Sequence, residues 1–519
     1  MAFDARVNPD NPAVPLQTIT ADPTDLNGYI AALSQVMEGT ASFLPVPPAI
    51  TSVQHRANAE LAAAMRVGSP ITAGTLIACT SGSTGTPKGA MLSAENLRSS
   101  NDATAYYLRK KYGVEPGAWL LTLPAHHIAG TQVILRSLSA GCTPIVASHL
   151  AGNQGGGSAC HFPRTSTRTE TPARVASGSF TVEGFSTDTR TLRQLYPDRH
   201  LYTSLVPAQL ERLVADPAGV EALRMYATIL IGGAATRSEV ISTIDNLGVH
   251  FALTYGSSET SGGCVYDGCP LPGVTVAVED PGGQRVEVIH GDFSMTRQRK
   301  VISSSEPTAQ RGRIVLSGPM VSRGYRNLPD SSAFPQAGTF VTSDLGEVSA
   351  VATSFSDAAS PSNTPPGILR VIGRADGAIN TGGYKVLPED VERAIHTHLP
   401  ELALDSGHSV STTTLCVVGV DDKAFGQIVA VAIEGGVEKE ELTHAHGQNG
   451  ESGAEQFKRS AQELKPNTLG MDVTGTLRAA LRGHLPTHLI PRRALLVPAL
   501  PTSGPGKVSR RGVAQLFTD

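Results

Sequence analysis

The chain has 519 residues, 40% of them hydrophobic, which is more than one packed core supports, so two or more domains are expected. Its 42 Lys and Arg against 46 Asp and Glu leave a net charge of -4, which excludes the basic footprint of a nucleic-acid or anionic-membrane binder. No apolar run is long enough to span a bilayer and the first residues lack a signal peptide's basic and apolar regions, so a cytoplasmic protein is expected.

In chain order, short apolar runs at residues 75–79, 143–147 and 227–231 predict strands, and 207–215 predicts a helix. Strands alternating with helices imply βαβ units, mostly parallel sheets and an α/β fold. Polar, glycine-rich or serine-rich stretches at 151–171, 349–366 and 434–467 break the rhythm. They cannot bury enough apolar surface to offset chain entropy, so mobile surface insertions without chemistry are expected, His444 and His446 included. Cys79, Cys142, Cys160, Cys264, Cys269 and Cys416 are scattered without metal-site spacing and are expected to be idle or buried thiols. Beyond Gly373-Arg374-Ala375-Asp376-Gly377 the pattern changes to a helix at 388–398 and strands at 415–420 and 427–434. A large domain over 1–375 with βαβ-type parallel sheets and a small, mobile C-terminal α+β domain over 376–519 is therefore expected.

Directly after the run ending at Cys79 stands Thr80-Ser81-Gly82-Ser83-Thr84-Gly85-Thr86-Pro87-Lys88-Gly89. Glycines let backbone N–H groups approach an anion, the hydroxyls bond phosphate oxygens, and Lys88 adds a charge, a set suited to a triphosphate. It is not a Walker A loop, because Lys88 is followed by glycine and the spacing differs. The decapeptide resembles the signature phosphate loop of the adenylate-forming superfamily, which holds acyl-CoA synthetases, luciferases and peptide-synthetase adenylation domains.

The resemblance continues in order along the chain. Ile231-Gly232-Gly233-Ala234 is similar to the segment bordering adenine and the acyl pocket, which assigns nucleotide contacts to Gly233 and Ala234. Tyr255-Gly256-Ser257-Ser258-Glu259 resembles the motif whose tyrosine stacks on adenine, and here Ser258 replaces the usual threonine. It implies Gly256 and Ser258 at the nucleotide and Glu259, with Thr84, at Mg²⁺, a cation that prefers oxygen donors and phosphate company. Thr342-Ser343-Asp344 is similar to the segment whose Asp accepts from both ribose hydroxyls, with serine in place of glycine. The run 373–386 resembles the hinge motif, implying Arg374 at ribose, Asp376 as pivot, and Gly383 and Lys385 at the CoA tunnel; from the residues alone a plain hairpin turn remains open. Near the end, Pro501-Thr502-Ser503-Gly504-Pro505-Gly506-Lys507 is similar to the family's catalytic-lysine motif. Lys507 there stabilises the charge built up as a carboxylate oxygen attacks the α-phosphate.

Two segments narrow the acid: Leu123-Pro124-Ala125-His126-His127-Ile128-Ala129-Gly130 and the continuation Glu259-Thr260-Ser261-Gly262-Gly263-Cys264-Val265-Tyr266-Asp267-Gly268. Both resemble the o-succinylbenzoate–CoA ligases of menaquinone synthesis. The resemblance implies His127, Ser204, Gly256, Ser261, Gly262 and Gly263 around the acid, with His127 gating or lining the pocket; on its residues alone His127 reads as a satisfied core histidine. Arg136 and Ser204 are candidate donors to the acid's second carboxylate. The implied partners are ATP, Mg²⁺, CoA and a carboxylic acid, with no nucleic acid and no membrane span, and a homodimer is left open. An aryl or fatty acid as substrate and a catalytically silent nucleotide-binding protein are the competing readings.

Overall fold

The computed structural model describes residues 12–80, 87–151, 179–288, 310–350, 367–404, 409–412, 414–435, 470–502 and 508–518. The insertions, Ser81 to Thr86, Cys160, His444, His446 and Lys507 lie outside them, apart from the ends of the insertions. The chain divides into two compact units, Met1–Thr342 with Gly346–Arg370, and Ser343–Leu345 with Val371–Asp519. The passage between them falls inside a strand, a short way ahead of Asp376.

The first unit opens with a sheet of β1 (Ala13–Thr20), β2 (Ser42–Val46), β3 (Pro70–Thr72), β4 (Thr75–Thr80) and β5 (Lys88–Ser93), ordered β3-β1-β2-β4-β5. The neighbours β1, β2 and β4 run parallel, while β4 and β5 form an antiparallel ladder whose last pair is Thr80 opposite Lys88. Ser93 then caps the helix Ala94–Tyr112 by accepting from the Asn96 N–H, and Asn96 Oδ1 accepts from the Ser93 N–H in return. Basic Arg109, Lys110 and Lys111 occupy the last turn, where the helix dipole favours them.

A second sheet contains β6 (Ala118–Leu121), β7 (Ile145–Val146), β8 (Leu201–Leu205), β9 (Thr228–Ile231), β10 (Phe251–Ser257), β11 (Gly262–Tyr266) and β12 (Cys269–Pro270). Its order is β12-β11-β10-β9-β8-β6-β7, and the pairs from β10 through β7 are parallel. Strands β6, β8 and β9 are buried along their whole length, which is why they read as continuous apolar runs rather than alternating ones. From β6 the chain moves outward to β7, then crosses back to β8 on the other side of β6. Neighbours β6 and β8 therefore bound a topological switch point, beyond whose carboxyl ends open α/β sheets place their ligands.

The predicted strand at 143–147 shrinks to Ile145–Val146 because Pro144 lacks an N–H and the Thr143 N–H is taken by Tyr196 Oη at 2.8 Å. The 207–215 helix is observed as Pro207–Val214, with Pro207 at its first position, where a missing N–H costs nothing. A third sheet follows, ordered β14-β13-β15-β16-β17, from β13 (Thr275–Glu279), β14 (Arg285–Val288), β15 (Gln310–Ser317), β16 (Thr339–Ala350) and β17 (Gly367–Arg374).

In the second unit, β18 (Ile379–Thr381) and β19 (Tyr384–Val386) make a hairpin. The helix Pro388–His398 follows, with Pro388 at its start and Glu389 and Asp390 in its first turn. A small hairpin of β20 (Glu401–Ala403) and β21 (Ser409–Ser411) precedes β22 (Leu415–Asp422), β23 (Gly426–Glu434), β24 (Met471–Asp472) and β25 (Arg493–Val497). Strand β23 is central, pairing with β18, β22 and β25. The α/β first unit and α+β second unit are the expected fold class. No helix among the described residues is long and apolar enough to cross a membrane.

Candidate active site

The motif residues of the first unit gather at strand ends. Residues 122–127 follow β6, 206–209 follow β8, Gly232 to Ala234 follow β9, and Tyr255 to Glu259 close β10, all at the carboxyl edge of adjacent parallel strands. Thr122 is the knot between the two switch-point strands. Its hydroxyl donates to the Ser204 carbonyl, and its own carbonyl accepts from His149 Nε2 at 3.1 Å and Gln209 Nε2 at 3.3 Å. A donating Nε2 leaves the neutral His149 ring with Nδ1 bare. Burial lowers the His149 pKa, the carbonyl contact opposing it, and the ring stands edge-on to Phe180 at 5.1 Å.

His126 and His127 stand in the turn before the helix Ile128–Ser139, their rings 4.2 Å apart. Burial first, and the neighbouring His127 second, push His126 down to about 3. The surrounding protein lowers His127 as well, although its side chain still reaches solvent. Both rings are thus neutral near pH 7.

Strand β10 is kinked by a register shift at Tyr255/Gly256 against β11, which re-aims the residues that follow it. A Cβ at Gly256 would lie 2.0 Å from the Gly262 carbonyl oxygen, so the two backbones meet only because glycine stands there. The short turn Ser258–Thr260 comes next, with Ser258 and Glu259 buried and Tyr255 half-buried. Glu259 is 5% exposed; its carboxylate accepts from Tyr325 Oη at 2.7 Å, and its backbone carbonyl accepts from the Ser322 N–H at 2.7 Å.

The same tyrosine reaches the phosphate-loop stem. Lys88 Nζ lies 5.5 Å from the centre of the Tyr325 ring, and Tyr325 pairs with Ala90 of β5. Asn327 Oδ1 accepts from the Gly89 N–H at 3.1 Å, and its Nδ2 donates to the Pro87 carbonyl at 2.8 Å. Thr80 and Lys88, the ends of the glycine-rich loop, are therefore brought beside Glu259.

Some candidates take other roles. Arg136, proposed for the second carboxylate, is 6% exposed and packs into the core: its guanidinium donates to Thr104 Oγ1 at 3.1 Å and lies over the Trp119 ring at 5.5 Å. Ser261, expected beside the acid, is fully buried, its hydroxyl donating to the Met320 carbonyl and its carbonyl accepting from Ser100 Oγ and Gln132 Nε2. Gly262 is buried beside it, Gly263 is half-buried, and Ser204 is 8% exposed at the end of β8. Gly233 and Ala234 are exposed beyond β9. Sequence reasoning missed Tyr325, Asn327, Thr122, His149 and Gln209; the one local signal was an aromatic set in the turn-rich run Gly324-Tyr325-Arg326-Asn327.

In the second unit, Arg374 grips Asp376 with two bonds of 2.8 and 2.7 Å and donates to Ser343 Oγ at 2.8 Å, which sets Arg374 beside the segment carrying Asp344. The run Gly382-Gly383 is a two-residue hairpin turn with both φ positive, at +55° and +87°, holding Tyr384 and Lys385 at the surface. Tyr384 stacks on His488 with ring centres 4.3 Å apart. Burial pushes the thiols of Cys79 and Cys416 up to about 12 and that of Cys269 to about 11, so they stay protonated. Among the described residues no group of three or more His, Cys, Asp or Glu is placed to hold a metal.

The model of the AMP-binding enzyme family matches residues 54–153. Over 489 residues the chain is 32% identical to a probable 2-succinylbenzoate–CoA ligase of Mycobacterium tuberculosis (strain ATCC 25618 / H37Rv), covering 94% of each chain. The ATP-bound structure of MatB from Rhodopseudomonas palustris superposes with a TM-score of 0.61 at 18% identity, covering 98% of this chain and 89% of that one. Bacillus subtilis MenE in complex with the acyl-adenylate intermediate OSB-AMP gives 0.52 at 19% identity, covering 93% and 80%. The two structures share the fold. The fold and full-length relationship define an adenylate-forming acid–CoA ligase. The chain belongs to the AMP-binding enzyme family, among the 2-succinylbenzoate–CoA ligases.

Proposed function

We propose that the acid is o-succinylbenzoate, activated with ATP as its acyl-adenylate and passed to the thiol of CoA as a step of menaquinone synthesis. Identity over nearly the whole of both chains to a ligase of that name carries the reading. The loop 80–88 cradles the triphosphate, Tyr255 stacks on adenine, Ser258 bonds the α-phosphate, and Asp344 and Arg374 hold the ribose. Gly233, Ala234 and Gly256 border the adenine and the acid, with His127 and Ser204 at the acid.

A buried carboxylate beside a phosphate-loop stem is a donor set that fits Mg²⁺, so Glu259, with Thr84, would hold the ion, phosphate oxygens completing its shell. Bound there, it would neutralise charge on the phosphates. The carboxylate oxygen attacks the α-phosphorus, pyrophosphate leaves, and Lys507 stabilises the charge that builds on the phosphate oxygens. The second unit, 376–519 by the sequence pattern, then turns about Asp376 and brings Gly383 and Lys385 to the thiol. The Arg374–Asp376 pair is about half-exposed, the kind of contact worth little and released readily at a pivot. The thiolate attacks the acyl carbon and AMP departs.

Purified enzyme with ATP, Mg²⁺, CoA and a panel of acids tests this by AMP and thioester release. O-succinylbenzoate is expected to outpace benzoate and hexanoate; equal rates would remove the assigned acid while leaving the ligase class intact.

A further inference from the structure

We infer that Tyr325 is a positioning residue that holds Glu259 in register with Lys88 for a cation-bound triphosphate; this rests on the proposed nucleotide reading. Tyr325 is 3% exposed, and its ring is fixed edge-on against Phe334 at 5.0 Å, which stacks on Phe340 at 5.1 Å. Its backbone is equally fixed: the Met91 N–H donates to Gly324 O at 2.9 Å, and the Arg326 N–H donates to Gly89 O at 2.7 Å. At the other end of the same stretch the Ser322 N–H holds the Glu259 carbonyl. Residues 322–327 therefore lace the strand that leaves the phosphate loop to the turn that carries Glu259.

The side chain completes the link in a way an ion pair would not. Among the described residues Lys88 and Glu259 make no direct salt bridge; the tyrosine stands between them, its ring face toward the ammonium and its hydroxyl on Glu259 Oε1. A neutral donor leaves the carboxylate its full charge, and a ring face leaves the ammonium its N–H donors, so both charges stay available to a ligand. With one oxygen held, the carboxylate cannot turn freely, and its second oxygen has a defined direction. Partners that orient a metal-binding group in this way typically contribute about 10–100-fold in metal affinity.

The test is calorimetric binding of α,β-methylene-ATP to the full chain, with and without MgCl₂. Tyr325→Phe keeps the ring and removes only the hydroxyl. Its gain in nucleotide affinity on adding Mg²⁺ is expected to fall about 10-fold, with metal-free binding within about 2-fold of the parent. Glu259→Asp, one methylene shorter, is expected to show the same metal-specific loss and serves if the first variant folds poorly. A Tyr325→Phe variant whose Mg²⁺ gain equals the parent's, or whose binding weakens equally with and without the ion, overturns the inference. Glu259→Gln separates the two levels: if it too keeps the full Mg²⁺ gain, the assignment of the ion to Glu259 falls and the role of Tyr325 with it, whereas if it loses the gain while Tyr325→Phe keeps it, only the role of Tyr325 falls.

Discussion

The chain carries two chemistry-bearing loops, and their stems are built differently. The segment between Thr80 and Lys88 rises from a ladder running unbroken from Thr75 opposite Ser93 to Thr80 opposite Lys88, most of it buried, with Asn327 fastening the exit strand. Among the described residues, Thr502 and Val508, which flank the second loop, meet in an isolated β-bridge, with a bond of 2.7 Å from the Ser509 N–H to the Pro501 carbonyl and one of 2.8 Å from the Leu500 N–H to Glu434 Oε2. Just beyond it, Arg510 holds Glu389 at 2.8 Å and Glu392 at 3.0 Å, with its own side chain 38% exposed. A continuous, largely buried ladder fixes the first stem, whereas partly exposed ion pairs stand behind the second.

The largest expected effect is on the second loop. Lys507→Ala should lower adenylation about 10²–10³-fold, as loss of a group that stabilises transition-state charge does, while supplied acyl-adenylate is still converted to thioester. Single-turnover assays of each half-reaction check it, and equal loss in both would refute the assignment. The next effect belongs to the first stem. A Cβ at Gly89 would lie 2.4 Å from Met65 Sδ and 2.8 Å from Ile77 Cγ2, so Gly89→Ala should cost about 1–3 kcal/mol of stability in urea unfolding. ATP binding should weaken with it, since the displaced strand is the one that delivers Lys88.

Arg510→Ala sharpens the contrast, because it loosens the lysine stem without touching the nucleotide. Adenylation is expected to slow about 10-fold with thioester formation little changed, and the stability loss should stay near ~1 kcal/mol, since the pairs are partly exposed. A loss of ATP affinity as large as that of Gly89→Ala would erase the distinction between the stems.

How much of this was legible in sequence follows from how local each determinant is. The helix Pro388–His398 was readable to the residue because its proline start and acidic first turn are written in consecutive positions. The entry strand of the phosphate loop was readable too, its apolar run 75–79 appearing as Thr75–Thr80, whereas the exit strand Lys88–Ser93, whose first two residues read as loop, was not. Tyr325 and Asn327 were not: the Gly89–Asn327 bond spans a sequence separation of 238, and nothing local to Asn327 announces it. Arg136, named as a candidate donor to the second carboxylate, has partners in Trp119, Thr104 and Tyr266 that come from distant segments and that no local pattern announces. Ser261 misled through its flanking glycines, which the close passage of β10 and β11 requires.

The smallest expected effect contrasts the two units through pH. In the first, His126 is held down to about 3 against an ordinary 6.5, so between those values the unfolded chain binds a proton that the folded one refuses. Stability is then lost as pH falls from 6.5 towards 3. In the second, burial raises Glu389 above its ordinary 4.5 despite the Arg510 guanidinium, so the folded chain keeps a proton that the unfolded one releases. That contribution is lost as pH rises from 4.5 through the raised value. His126→Gln should move the acid-unfolding midpoint to lower pH, while Glu389→Gln should flatten the decline above 4.5 and leave the acid limb in place. Unfolding followed by the fluorescence of Trp119, the chain's one tryptophan and a residue of the first unit, checks the first; amide exchange of the helix Pro388–His398 checks the second. If both substitutions moved the acid limb alike, the opposed burial of these two groups would not be what sets the pH response.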